Sequence, residues 1–287
     1  MPAQMESDMT QVDFKIGGEI SVTGKWLPRT PGGIFRKSPD SADFLNEWED
    51  IHTDARADKG VLQTEINHAI GEDAVLVHHV FKNADALLNY FGSTASTHAE
   101  ALLKVAKPQL HLIRGIDVTD DVAKALTSRG VPLSIGNFSY GFVRDYAEAD
   151  PAIAIHATAK WTCKPGSTQE TLDELKHWWQ MANNHAFEHE PGLRRFEVYE
   201  ADGEHAVITH DTFDSTEDLK FHLTKGAANK YKAHIDKIAV PENYYFRGPV
   251  EWMIRTYSKF MHLPATYSTL GSFHAEPGGS MSSGTTV

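Results

Sequence analysis

The chain contains a second copy of its own pattern, and this duplication limits the folds open to it. Lys25-Trp26 returns as Lys160-Trp161, 135 positions on. Val75-Leu76-Val77-His78 returns as Val207-Ile208-Thr209-His210, and Phe81 as Phe213, each 132 positions on. Arg114-Gly115 returns as Arg247-Gly248, 133 positions on. A nearly constant offset over more than half of the chain indicates a duplicated structural unit. Two copies make a fused pseudo-dimer rather than a solenoid. The pattern divides the chain into a flexible start (1–17), a first unit (18–150), a second unit (151–275) and a Gly/Ser/Thr-rich disordered tail (276–287).

Charge and composition exclude several classes of function. The net charge of -12 opposes binding to nucleic acid or to an anionic membrane surface. Cys163 is the only cysteine, so no disulfide framework is available. No apolar run approaches the roughly 20 residues of a membrane span. The polar start has no apolar signal core, and a cytoplasmic location is expected. No Gly-rich phosphate loop and no Gly-x-Ser-x-Gly elbow occurs. No nucleotide cofactor is expected, and the sequence leaves homo-oligomer formation open.

Each copy shows the same order of elements. A strand (Ile20 to Leu27; Ile153 to Cys163) alternates apolar and polar residues and runs into a Pro/Gly turn. A helix follows. Ser38-Pro39 opens the first, with Leu45, Trp48 and His52 on one face. The Ser167-x-x-Glu170 capping box opens the second, with Leu172, Leu175, Trp179, Ala182 and Ala186 at helical spacing. Two strands come next (Val61 to Asn67 and Ala74 to Phe81; Leu193 to Glu200 and Ala206 to Phe213). A second helix runs from Asn83 to Pro108 and from Ser215 to Pro241, before a fourth strand (Gln109 to Arg114; Tyr244 to Arg247). This β-α-β-β-α-β order is ferredoxin-like. Each copy then adds a helix and an extended piece: Asp117 to Arg129 with Leu133 to Val143, and Val250 to Met261 with Thr266 to His274. The expected fold class is α+β.

The second copy also carries Lys164-Pro165-Gly166, Glu190-Pro191-Gly192, His210-Asp211-Thr212-Phe213-Asp214-Ser215 and His222-Leu223. These motifs resemble those of the antibiotic biosynthesis monooxygenase (ABM) family of dimeric α/β barrels, over roughly 18–115 and 152–248. The resemblance implies tandem ferredoxin-like repeats that close one barrel within one chain. It also implies a ligand cavity between the helices and one sheet face.

Strand alternation sorts the candidate residues. Asp211 shares a face with Thr209 and Phe213, and His79 shares the matching face with Val77 and Phe81. Either can serve as a general base: apolar walls raise an Asp pKa, and histidine as a residue type titrates near neutrality. His78 and His210 occupy equivalent positions on the opposite face, where they could meet across the pseudo-twofold axis. His210 is a third catalytic candidate. Arg195 and Tyr199 share a strand face and are candidate donors to substrate. Trp161, Trp179 and Phe213 are candidate walls, and His222 is a further substrate contact. His185-x-x-Glu188-His189 has metal-ligand spacing but ends at Pro191 and has no counterpart in the first copy, so no metal is expected. His234 lies where haem-degrading relatives carry their proximal histidine, and would matter only if haem were bound.

The resemblance thus implies a cofactor-independent monooxygenase, an oxidoreductase acting on a small aromatic or polyketide-type molecule whose own enolate or phenolate reacts with O₂. The second copy, which keeps more of the motifs, is the expected active one. The alternatives are a haem-binding or haem-degrading protein, an isomerase or decarboxylase using the same base, and a non-catalytic binding or scaffold protein.

Overall fold

The computed structural model describes residues 18–29, 48, 50, 51, 53–55, 57–69, 72–92, 94–116, 118, 120–144, 153–249, 265–268 and 272–274. The helix start at Ser38-Pro39, Leu45, His52, Gly71, the 250–261 helix, the 1–17 start and the 276–287 tail lie outside them.

The strands are β1 (Ile20–Pro28), β2 (Val61–His68), β3 (Val75–Phe81), β4 (Ala106–Gly115), β5 (Leu133–Val143), β6 (Ile155–Cys163), β7 (Leu193–Ala201), β8 (Ala206–Phe213), β9 (Ala239–Arg247), β10 (Ala265–Ser268) and β11 (Ser272–His274). The labelled helices are α1 (Ala84–Gly92), α2 (Thr94–Val105), α3 (Asp120–Thr127), α4 (Gln169–His189), α5 (Thr216–Thr224) and α6 (Ala227–Ile238). Described residues between 48 and 57 are also helical. The first copy orders its strands β4-β1-β3-β2 and the second β9-β6-β8-β7, the antiparallel sheet of a ferredoxin-like unit. The α+β repeat is therefore present in both halves.

The segment after each copy joins the two sheets. β5 runs parallel to β4 (His111↔Leu133 to Gly115↔Asn137), then antiparallel to β7 (Gly136↔Ala201 to Val143↔Arg195). β10 repeats the first pairing on β9 (Ala265↔Tyr244), and β11 repeats the second on β2 (Ser272↔Glu65). The ends of the eleven-strand order are β10 and β11. Only residues 269–271 separate them, a reach of roughly 14 Å at most. The two edges of the sheet therefore lie at one seam, which is the geometry of a barrel. Close approach at β5 requires glycine: a Cβ on Gly141 would lie 2.5 Å from the Phe196 carbonyl oxygen.

Two expected boundaries shift. The second helix of each copy breaks in two, at Gly92 and at Lys225-Gly226. In the second copy both Lys225 and Gly226 donate their N–H to the Phe221 carbonyl, which ends α5 before Ala227 opens α6. The cap of α4 is Thr168, one residue later than Ser167. Its backbone N–H donates to Thr171 Oγ1 at 3.3 Å, so the reciprocal partner is a threonine rather than Glu170.

Buried ion pairs cross between the copies inside the barrel. Arg247 donates to Glu65 at 2.5 Å, both side chains being at most 2% exposed. Its counterpart, Arg114 with Glu197, spans 3.7 Å. Lys25 pairs with Glu72, and the Thr266 hydroxyl donates to that carboxylate at 3.2 Å. Lys160 pairs with Glu204, and the Ser134 hydroxyl donates to it at 2.6 Å. Each crossing strand thus places a hydroxyl on the other copy's Lys–Glu pair. Leaving Arg247 without its carboxylate should cost about 3–5 kcal/mol. Glu65→Gln is expected to lower stability by that order in urea unfolding, and a Glu65→Leu/Arg247→Met double variant to recover most of it. A neutral Glu65→Gln would show that the pair is dispensable.

Candidate active site

Register relates the two copies residue by residue. Val22 pairs with His79 as Ala157 pairs with Asp211. Thr64 pairs with His79 as Phe196 pairs with Asp211. Gly24 pairs with His111 as Ala159 pairs with Tyr244. The helix-facing layer of the second copy is filled by rings. Trp161 packs on Trp179 at 5.1 Å and on Tyr244 at 6.0 Å, Trp179 on Phe196 at 6.0 Å, and Tyr244 on Phe246 at 4.7 Å. One continuous apolar core results.

The first copy has Thr64 in place of Phe196 and His111 in place of Tyr244. Its core is split into two clusters, one around Val22, Phe81 and Tyr90, the other around Trp26, Trp48 and Val77. A cavity of about 70 Å³ lies between them. Trp26, Trp48, Val77, Leu102 and Leu126 supply apolar walls, and His79, Tyr90, His111 and Arg129 the polar groups. Smaller side chains at two positions thus account for the space.

His111 is fixed by its surroundings. Its Nδ1 lies 2.8 Å from the Gln109 carbonyl oxygen. A carbonyl only accepts, so Nδ1 carries the proton and Nε2 presents a lone pair. Burial pulls the pKa down to about 4, although the Gln109 bond opposes this, so the ring is neutral at pH 7. The ring lies against Gly24, where a Cβ would sit 2.1 Å from it. His79 Nδ1 is 2.7 Å from Thr64 Oγ1, and its ring packs near Phe81 and Tyr90.

Asp211 has no such support. It is 3% exposed, and Oδ1 has no hydrogen-bond partner. Burial pushes its pKa up to about 7, against the attraction of His222. His222 Nδ1 bonds Glu190 Oε2 at 2.8 Å, and the other oxygen of Glu190 accepts the Ala227 N–H at 2.6 Å, at the start of α6. Burial opposes both charges. The His222 bond and charge, with Ala227, outweigh it to lower the Glu190 pKa, and the Glu190 bond and charge outweigh it to raise that of His222. This pair therefore favours folding between the depressed Glu190 pKa and the raised His222 pKa, and loses that effect on either side.

The remaining sequence candidates separate. Trp161, Trp179 and Phe213 lie on the Asp211 side, in the filled core. Arg195 and Tyr199 pair with Thr212 and Ile208, on the barrel-interior face. There the Tyr199 hydroxyl donates to Glu197 at 2.8 Å, and Arg195 Nε is 3.4 Å from the same carboxylate. His78 and His210 share that interior. Each bonds a threonine of its own copy, His78 to Thr23 at 2.8 Å and His210 to Thr158 at 2.9 Å, rather than meeting across the axis. Burial and then nearby arginines lower both pKa values well below normal. His185 and His189 stack at 4.3 Å at the exposed end of α4. His234 stacks on Trp178 at 3.9 Å. His111, Tyr90 and Arg129 escaped the sequence reading because the first copy preserves few of the motifs. The repeat offset, which sets His111 against Tyr244, is the signal that could have found His111.

The profile of the family described as antibiotic biosynthesis monooxygenase matches residues 154–234. This stretch is an ABM domain. No curated protein matches the chain. Among solved structures, a candidate monooxygenase from Fusobacterium nucleatum is similar at 9% identity and a TM-score of 0.50, over 79% of this chain and 90% of that one. A candidate monooxygenase from Lactobacillus acidophilus NCFM (13% identity, TM-score 0.45) covers 80% of this chain and 91% of its own. An anthrone oxidase-like protein (12%, 0.47) covers 80% and 90%. At these identities the likeness concerns the fold alone. Within the ABM domain, Glu190 and His222 are partners of one another and fasten the helix break. Among the described residues, no helix is long and apolar enough to cross a membrane.

Asp211 yields a pH prediction. Its folded pKa lies above the ordinary carboxyl value, so the folded state holds the extra proton between about pH 4 and 7 and stability falls as pH rises through that range. Asp211→Asn keeps the shape and removes the charge. The variant should match wild type below about pH 4 and exceed it by a few kcal/mol at pH 8, measured by urea unfolding. A pH-independent difference would mean that Asp211 does not titrate in this way.

Proposed function

We propose that the chain is a cofactor-independent monooxygenase-type enzyme whose substrate enters the first-copy cavity, with His79 as the base. The observation that carries this reading is the cavity, where aromatic walls and the nitrogens of His79 and His111 line one space. His79, held at Nδ1 by Thr64, lines the cavity and is the group there that can take a proton from an acidic C–H or O–H of the substrate. His111 Nε2, a neutral acceptor, would orient that group. The resulting enolate or phenolate is the electron donor. Oxidation of a CH₂ to C=O by O₂ releases one water, with all four electrons supplied by the substrate, so no external reductant is required. Apolar walls keep competing water away from the anion. The ABM domain would then serve as the partner half that completes the barrel.

An engineered apolar cavity of about 150 Å³ accepts benzene. The 70 Å³ found here therefore takes the reacting edge of a single ring, with the remainder at the mouth. A second reading places the base at Asp211, because a pKa of about 7 suits general-base work near neutrality. Oxygen uptake with small phenols and naphthols separates the two. His79→Asn should lower turnover by about 10²–10⁴, and Asp211→Asn should leave it within a few-fold of wild type. The opposite pattern would move the chemistry to the second copy. Wild-type rates in both variants would remove strand three from the mechanism.

A further inference from the structure

Among the described residues that line the cavity, Arg129 alone carries a fixed positive charge. Arg129 follows α3 in a turn that Gly130 completes at φ 73, a left-handed conformation suited to glycine. The turn carries the guanidinium back over α1. Nη2 donates to the Phe91 carbonyl oxygen, and the guanidinium carbon lies 5.7 Å from the Phe91 ring centroid. Nη1 is buried and has no hydrogen-bond partner among the described residues. Among the described residues, no aspartate or glutamate lines the cavity. A buried guanidinium N–H without an acceptor is costly, and a planar anionic oxygen group is the acceptor that its fork geometry fits best.

We propose that Arg129 is the specificity-determining residue of this cavity and that the ligand is a single-ring aromatic carrying an anionic oxygen group, a carboxylate or a phenolate. This rests on the reading of the cavity as the substrate site. The walls supply the aromatic part of the recognition. Trp26 and Trp48 meet edge to face at 5.6 Å, Tyr90 and Phe91 at 5.4 Å, and all four line the space. A flat ring slides against such faces at low conformational cost. The charge recognition falls to Arg129: His111 is neutral at pH 7, and burial raises the Tyr90 pKa further, with help from Asp54 and Asp58. Arg129 would also hold the anion that remains once a base has removed the substrate proton, so one residue favours both binding and the reactive form. Arg129 belongs to a segment that the ferredoxin-like core does not include. The selectivity of this cavity would therefore come from the connection between the two copies rather than from either copy.

The test is a calorimetric titration of the full chain with 4-hydroxybenzoate and with its neutral isostere 4-hydroxybenzamide. Wild type should bind the acid at least 10-fold more tightly than the amide. Arg129→Gln should weaken the acid by roughly 10–100-fold, the worth of a hydrogen bond to a charged group, and leave the amide unchanged. Arg129→Lys, which keeps the charge but not the fork, should lose only part of the preference. Thermal unfolding identifies any variant that fails to fold, and the lysine variant then carries the comparison. Equal affinity for acid and amide in wild type, or an unchanged preference in Arg129→Gln, would overturn the role of Arg129 while leaving the cavity as a ligand site. If neither probe binds wild type, the reading of the cavity falls and this inference falls with it.

Discussion

The structure depends on what happens at the edges of its two sheets. An antiparallel four-stranded sheet ends in unpaired N–H and C=O groups, and these must be paired or protected. Here the pairing comes from the chain itself. β5 leaves the first copy and pairs with β7 of the second, and β11 pairs with β2 of the first. Because each crossing segment begins beside its own β4 or β9, one short stretch of chain satisfies an edge in each copy. The interior this creates is polar as well as apolar. Arg114, Arg247, Glu65 and Glu197 are buried in reciprocal pairs between the copies. Buried charges of this kind fix register more reliably than they add stability. The apolar chemistry is left to the outer, helix-facing layers.

Duplication within one chain frees the two layers to differ. The barrel needs both sheets, but it does not need two cavities. In the second copy Phe196, Tyr244 and the two tryptophans close the layer, and Glu190 with His222 fastens the helix break. In the first copy Thr64 and His111 stand at the matching positions, and the cavity opens. The half that carries the recognisable ABM motifs is thus the better-packed half, and the half with fewer motifs has the space. Motif retention and ligand access are different physical properties. The Glu190 carboxylate caps α6 and holds His222, a role that requires no substrate.

Much of the fold was legible in the chain. The offset of 132 to 135 residues placed the duplicated strands, and the extended piece at Leu133 to Val143 coincides with β5. Alternation placed Asp211 and His79 on matching faces and His210 on the other, as the register has it. Alternation does not say how two strands are aligned, so Arg195 and Tyr199 were grouped with Asp211 when register puts them with His210. Nor does a list of apolar residues say whether they meet. Trp161 and Trp179 read as walls of a pocket until their rings are found in contact with each other, and Trp161 with Tyr244. The fit of Thr64 to His79 and of His111 against Gly24 has no signature in local pattern, and comparing the two copies position by position is what exposes it.

The central claim is that substitution at two sheet positions gave the first copy a cavity that the second has lost. Crystals of the full chain pressurised with xenon test it directly, because xenon enters dry apolar cavities and is located by its scattering. The account predicts one well-occupied xenon site among Trp26, Trp48 and Val77, which Thr64→Phe with His111→Tyr should abolish. A xenon site beside Asp211 between Trp161 and Trp179, with none in the first copy, would contradict it.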